Sequence, residues 1–242
     1  MNNNDGGMSS RDGPAGEPPS FVTPGSLAAR YLDCLLAGER TEAARLIDDA
    51  VESGVSVREI YLTVIQPTQY EVGRLWELDR LSVADEHFCT GVSQLVIARL
   101  YPRWLKARVP GAPRAVITCV DGELHELGAR MVADFLEMEG WDTQYLGASS
   151  SPSAVAALLR ERGTKLLAIS VTLTAHLGAA ERLVGAVRGL PKAMQPKIIV
   201  GGYAFQASEE ARHRLGSDGY GHDADDAVRI ARTLASAVGA PS

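Results

Sequence analysis

From Arg114 onward, short apolar runs alternate five times with stretches of helical period, and this alternation constrains the fold more than any other feature. The runs are Arg114–Val120, Asp142–Leu146, Lys165–Val171, Lys197–Val200 and a short one near Gly219-Tyr220. The helical period predicts helices over Glu126–Glu139, Ser153–Arg162, Ala175–Val187, Phe205–Leu215 and Ala224–Val238. Near-continuous apolar strands need cover on both faces, and strands joined through helices run parallel with right-handed crossovers. The fold class is therefore α/β, with a doubly wound five-stranded parallel sheet. Gly140 and Gly163 stand where the first two of these helices should stop.

The chain before Arg114 shows helical period only. Thr23 reads as a cap and Pro24 as a first-turn proline, followed by Leu27, Tyr31, Leu32, Leu35 and Leu36 at helical spacing. Gly38 and Gly54 end the first two helices, Ser56 opens a third, Pro67 starts a fresh segment to Trp76, and a long helix runs from Ser82. Short connections imply a small antiparallel four-helix bundle over 23–108. Residues 109–113 form a Pro/Gly linker, 114–242 the sheet domain, and 1–22 a flexible leader rich in Asn, Gly, Ser and Pro.

The 242 residues, 45% hydrophobic, suffice for a packed core in two units, and the net charge of −6 argues against general nucleic-acid binding. Cys34, Cys89 and Cys119 form no pair motif, which fits reduced thiols in a cytoplasmic protein. No apolar run has membrane-spanning length, and the start lacks the apolar core of a signal peptide.

Ligands of open parallel sheets bind beyond the carboxyl ends of the strands. The loop after the first strand, Asp121-Gly122-Glu123-Leu124-His125-Glu126-Leu127-Gly128, holds one histidine. A neutral imidazole there can ligate a metal through one nitrogen while a carboxylate holds the other. Glu123 is the first candidate for that carboxylate and Asp121 the second. After the third strand come Ser170 and Thr172, whose hydroxyls can bond a buried heteroaromatic nitrogen. After the fourth come Gly201 and Gly202, which let a flat group approach the backbone. No Gly-x-Gly-x-x-Gly follows the first strand, so a dinucleotide site is disfavoured. In the bundle, Trp76 and Glu86-His87 flank a turn near Asp79-Arg80-Leu81 that can bring both arms together. The indole offers a flat apolar lid, and the Glu and His offer polar partners.

Glu123-x-His125-x-x-Gly128 resembles the Asp-x-His-x-x-Gly lower-ligand motif of cobalamin-binding domains, with Glu in place of Asp. Ser170 matches the serine of that family's Ser-x-Leu motif, with Thr172 where Leu is usual, and Gly201-Gly202 matches its Gly-Gly. The resemblance implies a Rossmann-like cobalamin-binding domain that holds the cofactor without its own base. His125 is then the cobalt ligand, Ser170 bonds the displaced benzimidazole, and Gly201 and Gly202 line its slot.

Trp76-x9-Glu86-His87 is similar to the signature of B12 photoreceptors of the CarH and LitR type. In those the Trp and Glu contact the adenosyl group, which light releases. There a His follows the Trp; here the position is Glu77, and His87 is the alternative light-state ligand. Those proteins begin with a DNA-binding domain, for which about twenty residues leave no room. Direct DNA binding is therefore not expected. The resemblance implies a light-dependent homo-oligomer that signals to an effector or regulator protein, as the AerR antirepressors do. Resemblance to the photocobilins adds biliverdin as a candidate second chromophore. The sensor is not an enzyme. Its alternatives are a corrinoid methyl-carrier subunit of a methyltransferase and a cobalamin storage scaffold. His176, His213 and His222 are left as surface or packing residues, His176 being the one near the ligand edge.

Overall fold

The computed structural model describes residues 20–238 apart from 24, 106–108 and 207. The expected leader, up to residue 19, and Pro24 lie outside the described residues.

Helix α1 (Leu27–Leu36) starts later than Thr23. Ser26 Oγ accepts the Ala29 N–H at 3.1 Å and is the cap. Thr23 instead offers its carbonyl to the Ser26 N–H. Two turns of chain lead to α2 (Arg40–Glu52) and then to α3 (Val57–Ile60), capped by Ser56 as its sequence position predicts. The expected fresh start at Pro67 is not a break. A π-helical turn, Tyr61–Ile65, carries α3 directly into α4 (Gln66–Glu77). A proline has no N–H to donate and its ring crowds the carbonyl four residues back. The wider turn accommodates both, so the rod continues. Asp79, at φ 55, then closes α4: the Arg80 N–H reaches Leu75 O and the Asp79 N–H reaches Trp76 O. This is a Schellman cap with Asp where Gly is usual. Helix α5 (Val83–Trp104) opens on a reciprocal cap between Ser82 and Asp85. Tyr31, Leu35, Ile47, Ile65, Ile97 and Leu100 fill the space between the four rods, each fully buried or nearly so. Each such side chain contributes roughly 1.5–3 kcal/mol.

The second half alternates β1 (Arg114–Cys119), α6 (Leu127–Met138), β2 (Asp142–Tyr145), α7 (Pro152–Arg162), β3 (Leu166–Ser170), α8 (Leu177–Arg188) and β4 (Lys197–Gly201). It closes with α9 (Tyr203–Gln206), α10 (Glu209–Arg214), β5 (Gly219–Gly221) and α11 (Ala224–Val238). The single helix expected over Phe205–Leu215 is two short pieces. Ser208 caps the second by accepting the Ala211 N–H, which starts a new helix. A 3-10 turn, Thr174–His176, precedes α8, where a helix from Ala175 is expected.

All strands are parallel, in the order β2-β1-β3-β4-β5. Side chains alternate across the sheet. Ile117, Cys119, Ala168 and Ile199 meet α6 and α11 on one face; Val116, Ile169, Val171 and Val200 meet α7 and α8 on the other. Because the strand order reverses between β1 and β3, their carboxyl-end loops diverge and leave a crevice.

The bundle is fixed to the first face through α6. Tyr61 OH donates to Asp134 Oδ2 at 2.9 Å, and its ring lies 5.7 Å from that of Phe135. Arg58 sits 4.8 Å over the Phe135 ring, pairs with Glu139 at 2.6 Å and also bonds Asp225. Burial pushes the Asp134 carboxyl up, against the pull of Arg130. Among the described residues, no helix is long and apolar enough to cross a membrane.

Candidate functional site

A cavity of about 570 Å³ opens between α4, the first turns of α5 and the carboxyl ends of β1, β3 and β4. Its walls include Trp76, Glu86, His87, His125, Gly128, Ser170, Thr172, Gly201 and Gly202. Residues from opposite ends of the chain thus share one space, with Glu123 buried directly beneath it.

Glu123 is wholly buried and accepts at both oxygens. Oε1 takes the His125 backbone N–H at 3.0 Å and faces His125 Nδ1 at 2.6 Å. Oε2 takes the backbone N–H groups of Thr172 and Leu173 at 2.9 and 3.1 Å and faces His176 Nδ1 at 3.0 Å. Burial works to raise its pKa, but the hydrogen bonds from His125 and His176 outweigh it and hold the carboxylate well below the usual range. Glu123 in turn raises the His125 pKa, against burial. The carboxylate fixes His125 with Nδ1 occupied and Nε2 as its remaining ligating atom. Glu123 fills the orienting role; Asp121 is exposed.

Below His125 the cavity runs down between the sheet and α6. A Cβ placed at Gly128 would stand 3.8 Å from Ser170 Oγ, so these two face each other across the slot. Ile117, Ala168, Ile199 and Ala227 continue its walls. Gly201 and Gly202 line it, yet the need for glycine arises within the chain itself. A Cβ on Gly201 would meet Gly221 O at 2.9 Å. On Gly202, at φ +101, it would meet Val171 O at 2.3 Å.

The upper wall is helical. Trp76 is 40% exposed. Glu86 Oε2 faces His87 Nδ1 at 2.5 Å and Oε1 accepts from Thr90 Oγ1 at 2.8 Å. His87 itself points largely to solvent, its side chain 73% exposed. Glu77, at the position after Trp76, also lines the cavity.

Two of the histidines set aside on sequence grounds belong to the site. His176 is a partner of Glu123, and His222 lines the far end of the slot. The His176 contact joins residues 53 apart, so no local pattern announces it. Proximity to the ligand edge was its one signal. His213 is exposed, as expected. Tyr70 and Tyr203, with ring centroids 5.9 Å apart, bridge bundle and sheet at one end of the cavity and carry no motif.

Two family profiles, both described as B12 binding domain, match residues 27–101 and 113–229. Both parts of the chain are B12 binding domains. The chain is 25% identical over 216 residues to the HTH-type transcriptional repressor CarA of Myxococcus xanthus, covering 89% of this chain and 71% of that one. It is 21% identical over 212 residues to a corrinoid protein of Desulfitobacterium hafniense, covering 86% and 97%. The monomethylamine corrinoid protein of Methanosarcina barkeri has the same fold, with a TM-score of 0.76 at 19% identity over 86% of this chain and 98% of that one.

Cobalamin is the cofactor these two domains imply, and the donor set fits it. Among the described residues no group of three or more His, Cys, Asp or Glu could hold a bare ion. His125, which lines the cavity with its Nδ1 held by Glu123, is the residue that would ligate the cobalt of a bound cobalamin.

Proposed function

We propose that this B12-binding protein is a cobalamin-dependent light sensor. The observation that carries the reading is that an indole, a carboxylate and an imidazole of the bundle, Trp76, Glu86 and His87, reach the same cavity as the Glu123-held His125. His125 Nε2 would hold the cobalt of the bound cofactor. Gly128, Ser170, Thr172, Gly201 and Gly202 form the slot for the displaced base. Trp76 covers the opposite side and Glu86 offers acceptor oxygens to a polar upper group. Cobalamin supplies a light-sensitive bond between cobalt and its upper ligand.

The bundle has a route for the signal. Thr90 Oγ1 lies 2.8 Å from Glu86 Oε1 and 2.9 Å from Gln69 Oε1; Gln69 Nε2 donates to Ser93 Oγ at 2.8 Å, and Ser93 Oγ lies 3.1 Å from Tyr31 OH. Thr90 has one proton for two acceptors. A change at Glu86 therefore shifts that proton between a cavity residue and a chain running to α1. The output is a change in the bundle or in its assembly with itself or a regulator protein, in the cytoplasm and without catalysis. Biliverdin is the candidate second chromophore. A thioether to it has no support among the described residues: Cys89 and Cys119 are buried, with burial pushing their thiols up to about 11 and about 12, and Cys34 lies on α1 away from the cavity.

The second reading is a corrinoid methyl carrier, favoured by relatives named as corrinoid proteins. Trp76 speaks against it, because a carrier must open that face to a partner enzyme. Spectra of the protein with adenosylcobalamin and biliverdin, each alone and together, in the dark and after illumination, separate the two. Bleaching of the corrin bands on illumination supports the sensor, and an added red band with both ligands supports the second chromophore. A bound corrin unchanged by light refutes the sensor and favours the carrier.

A further inference from the structure

Residues 20–23 precede α1 and lie outside both matched stretches, yet two of them, Ser20 and Phe21, line the cavity. Val22 packs against the core shared by bundle and α6. The Phe21 backbone N–H donates to Glu71 Oε2 at 2.9 Å. Glu71 is a buried carboxylate on α4, paired with the Arg74 guanidinium at 2.7 Å. The Phe21 ring meets Tyr70 edge-on, with centroids 5.5 Å apart, and Tyr70 continues to Tyr203. Phe21, Tyr70, Arg74 and Tyr203 all line the cavity.

A buried carboxylate is costly unless its lone pairs are satisfied. Here one of its partners is the backbone of this arm, so the arm's position is specified by the bundle interior. The result is an aromatic corner made of three rings from three separate segments. It joins bundle and sheet at one end of the cavity, with Phe21 and Tyr70 on the bundle side and Tyr203 on the sheet side. Phe21 is 42% exposed, which places it at the rim, where it can touch a group seated inside and also control access.

We infer that Phe21, pinned by Glu71, is a ligand-contacting residue of the upper cavity and selects for a flat aromatic group carried above the corrin. The inference rests on the cobalamin reading above. Glu71 is a positioning residue, acting only through the arm.

The test is dark equilibrium binding of two cobalamins that differ in the upper group, adenosylcobalamin and hydroxocobalamin, to the wild-type chain, Phe21→Ala, Phe21→Trp and Glu71→Gln. An edge-on aromatic contact corresponds to about a three- to tenfold change in affinity. Phe21→Ala is expected to weaken adenosylcobalamin by that factor while leaving hydroxocobalamin within about twofold. Phe21→Trp restores the difference, and Glu71→Gln shifts it in the same direction as Phe21→Ala by a smaller factor. Equal effects on both cobalamins, whether none or a shared loss, overturn the inference. Failure of the wild-type chain to bind either cobalamin overturns the cobalamin reading instead.

Discussion

Glu123 Oε1 stands 2.6 Å from His125 Nδ1 while Oε2 of the same carboxylate accepts two backbone N–H groups beyond β3. One side chain thus orients the candidate cobalt ligand and also ties the β1 loop to the β3 loop. The longer reach of Glu, compared with the Asp usual at this motif position, suits that double duty.

Replacing Glu123 by Gln leaves the shape but puts an amide N–H₂ among donors. Loss of a buried, charge-assisted set of this kind is expected to cost about 2–4 kcal/mol of stability and about 10–100-fold in corrin retention. Chemical denaturation and dialysis of the loaded protein read the two effects. Wild-type behaviour in both would mean that the carboxylate orients nothing.

Trp76→Ala removes an exposed indole, so stability should change by less than about 1 kcal/mol. Adenosylcobalamin should still bind but exchange its upper group several-fold faster in the dark, with His125 coordination intact. Stopped-flow exchange against cyanide checks this; an unchanged rate removes Trp76 from the site.

Glu139 gives the bundle contact one pH-dependent contribution, which the Glu139→Gln difference isolates. Burial works to raise its pKa, and hydrogen bonds from Arg58 and Arg232 prevail and lower it. Its contribution is therefore complete above the ordinary carboxylate value of 4.5 and is lost as pH falls through the lowered folded value. Glu139→Gln should cost about 0.5–1 kcal/mol at neutral pH, and the difference from wild type should shrink on acidification below that value. Thermal melts across this window measure it; a difference that grows on acidification contradicts the assignment.

Gly202→Ala forces a Cβ at φ +101 to within 2.3 Å of Val171 O. The cost should be about 3 kcal/mol, or roughly 6–12 °C in Tm for a chain of this size. Gly128→Ala, with 3.8 Å to Ser170 Oγ, should leave the melt alone and weaken corrin binding by narrowing the slot. Parallel melts and titrations compare the pair.

The sheet was legible because Ala115 to Val120, Leu166 to Val171 and Ile198 to Val200 are apolar on both faces, and only a two-sided parallel sheet accommodates that. The candidate lower site was legible for a related reason: His125, Ser170 and Gly201-Gly202 stand at or just beyond the carboxyl ends of strands, and the topology alone brings those ends to one edge. What escaped was set by contacts between distant residues. Pro67 signals an interruption, but a π turn three-dimensionally absorbs it so that Tyr61 reaches Asp134. Ser208 divides α9 from α10 where the apolar spacing continues. His176 and Phe21 matter through Glu123 and Glu71, partners about fifty residues away, and a local pattern carries no record of such a pair.

The most direct test of the account is the electron paramagnetic resonance spectrum of the reduced cobalt(II) protein, prepared with ordinary histidine and with histidine carrying the heavy nitrogen isotope. Coordination by His125 predicts that the axial-nitrogen triplet becomes a doublet on labelling and that His125→Ala abolishes this change. A triplet indifferent to the label would show that the cofactor keeps its own base, and would contradict the assignment of His125 on which the site is built.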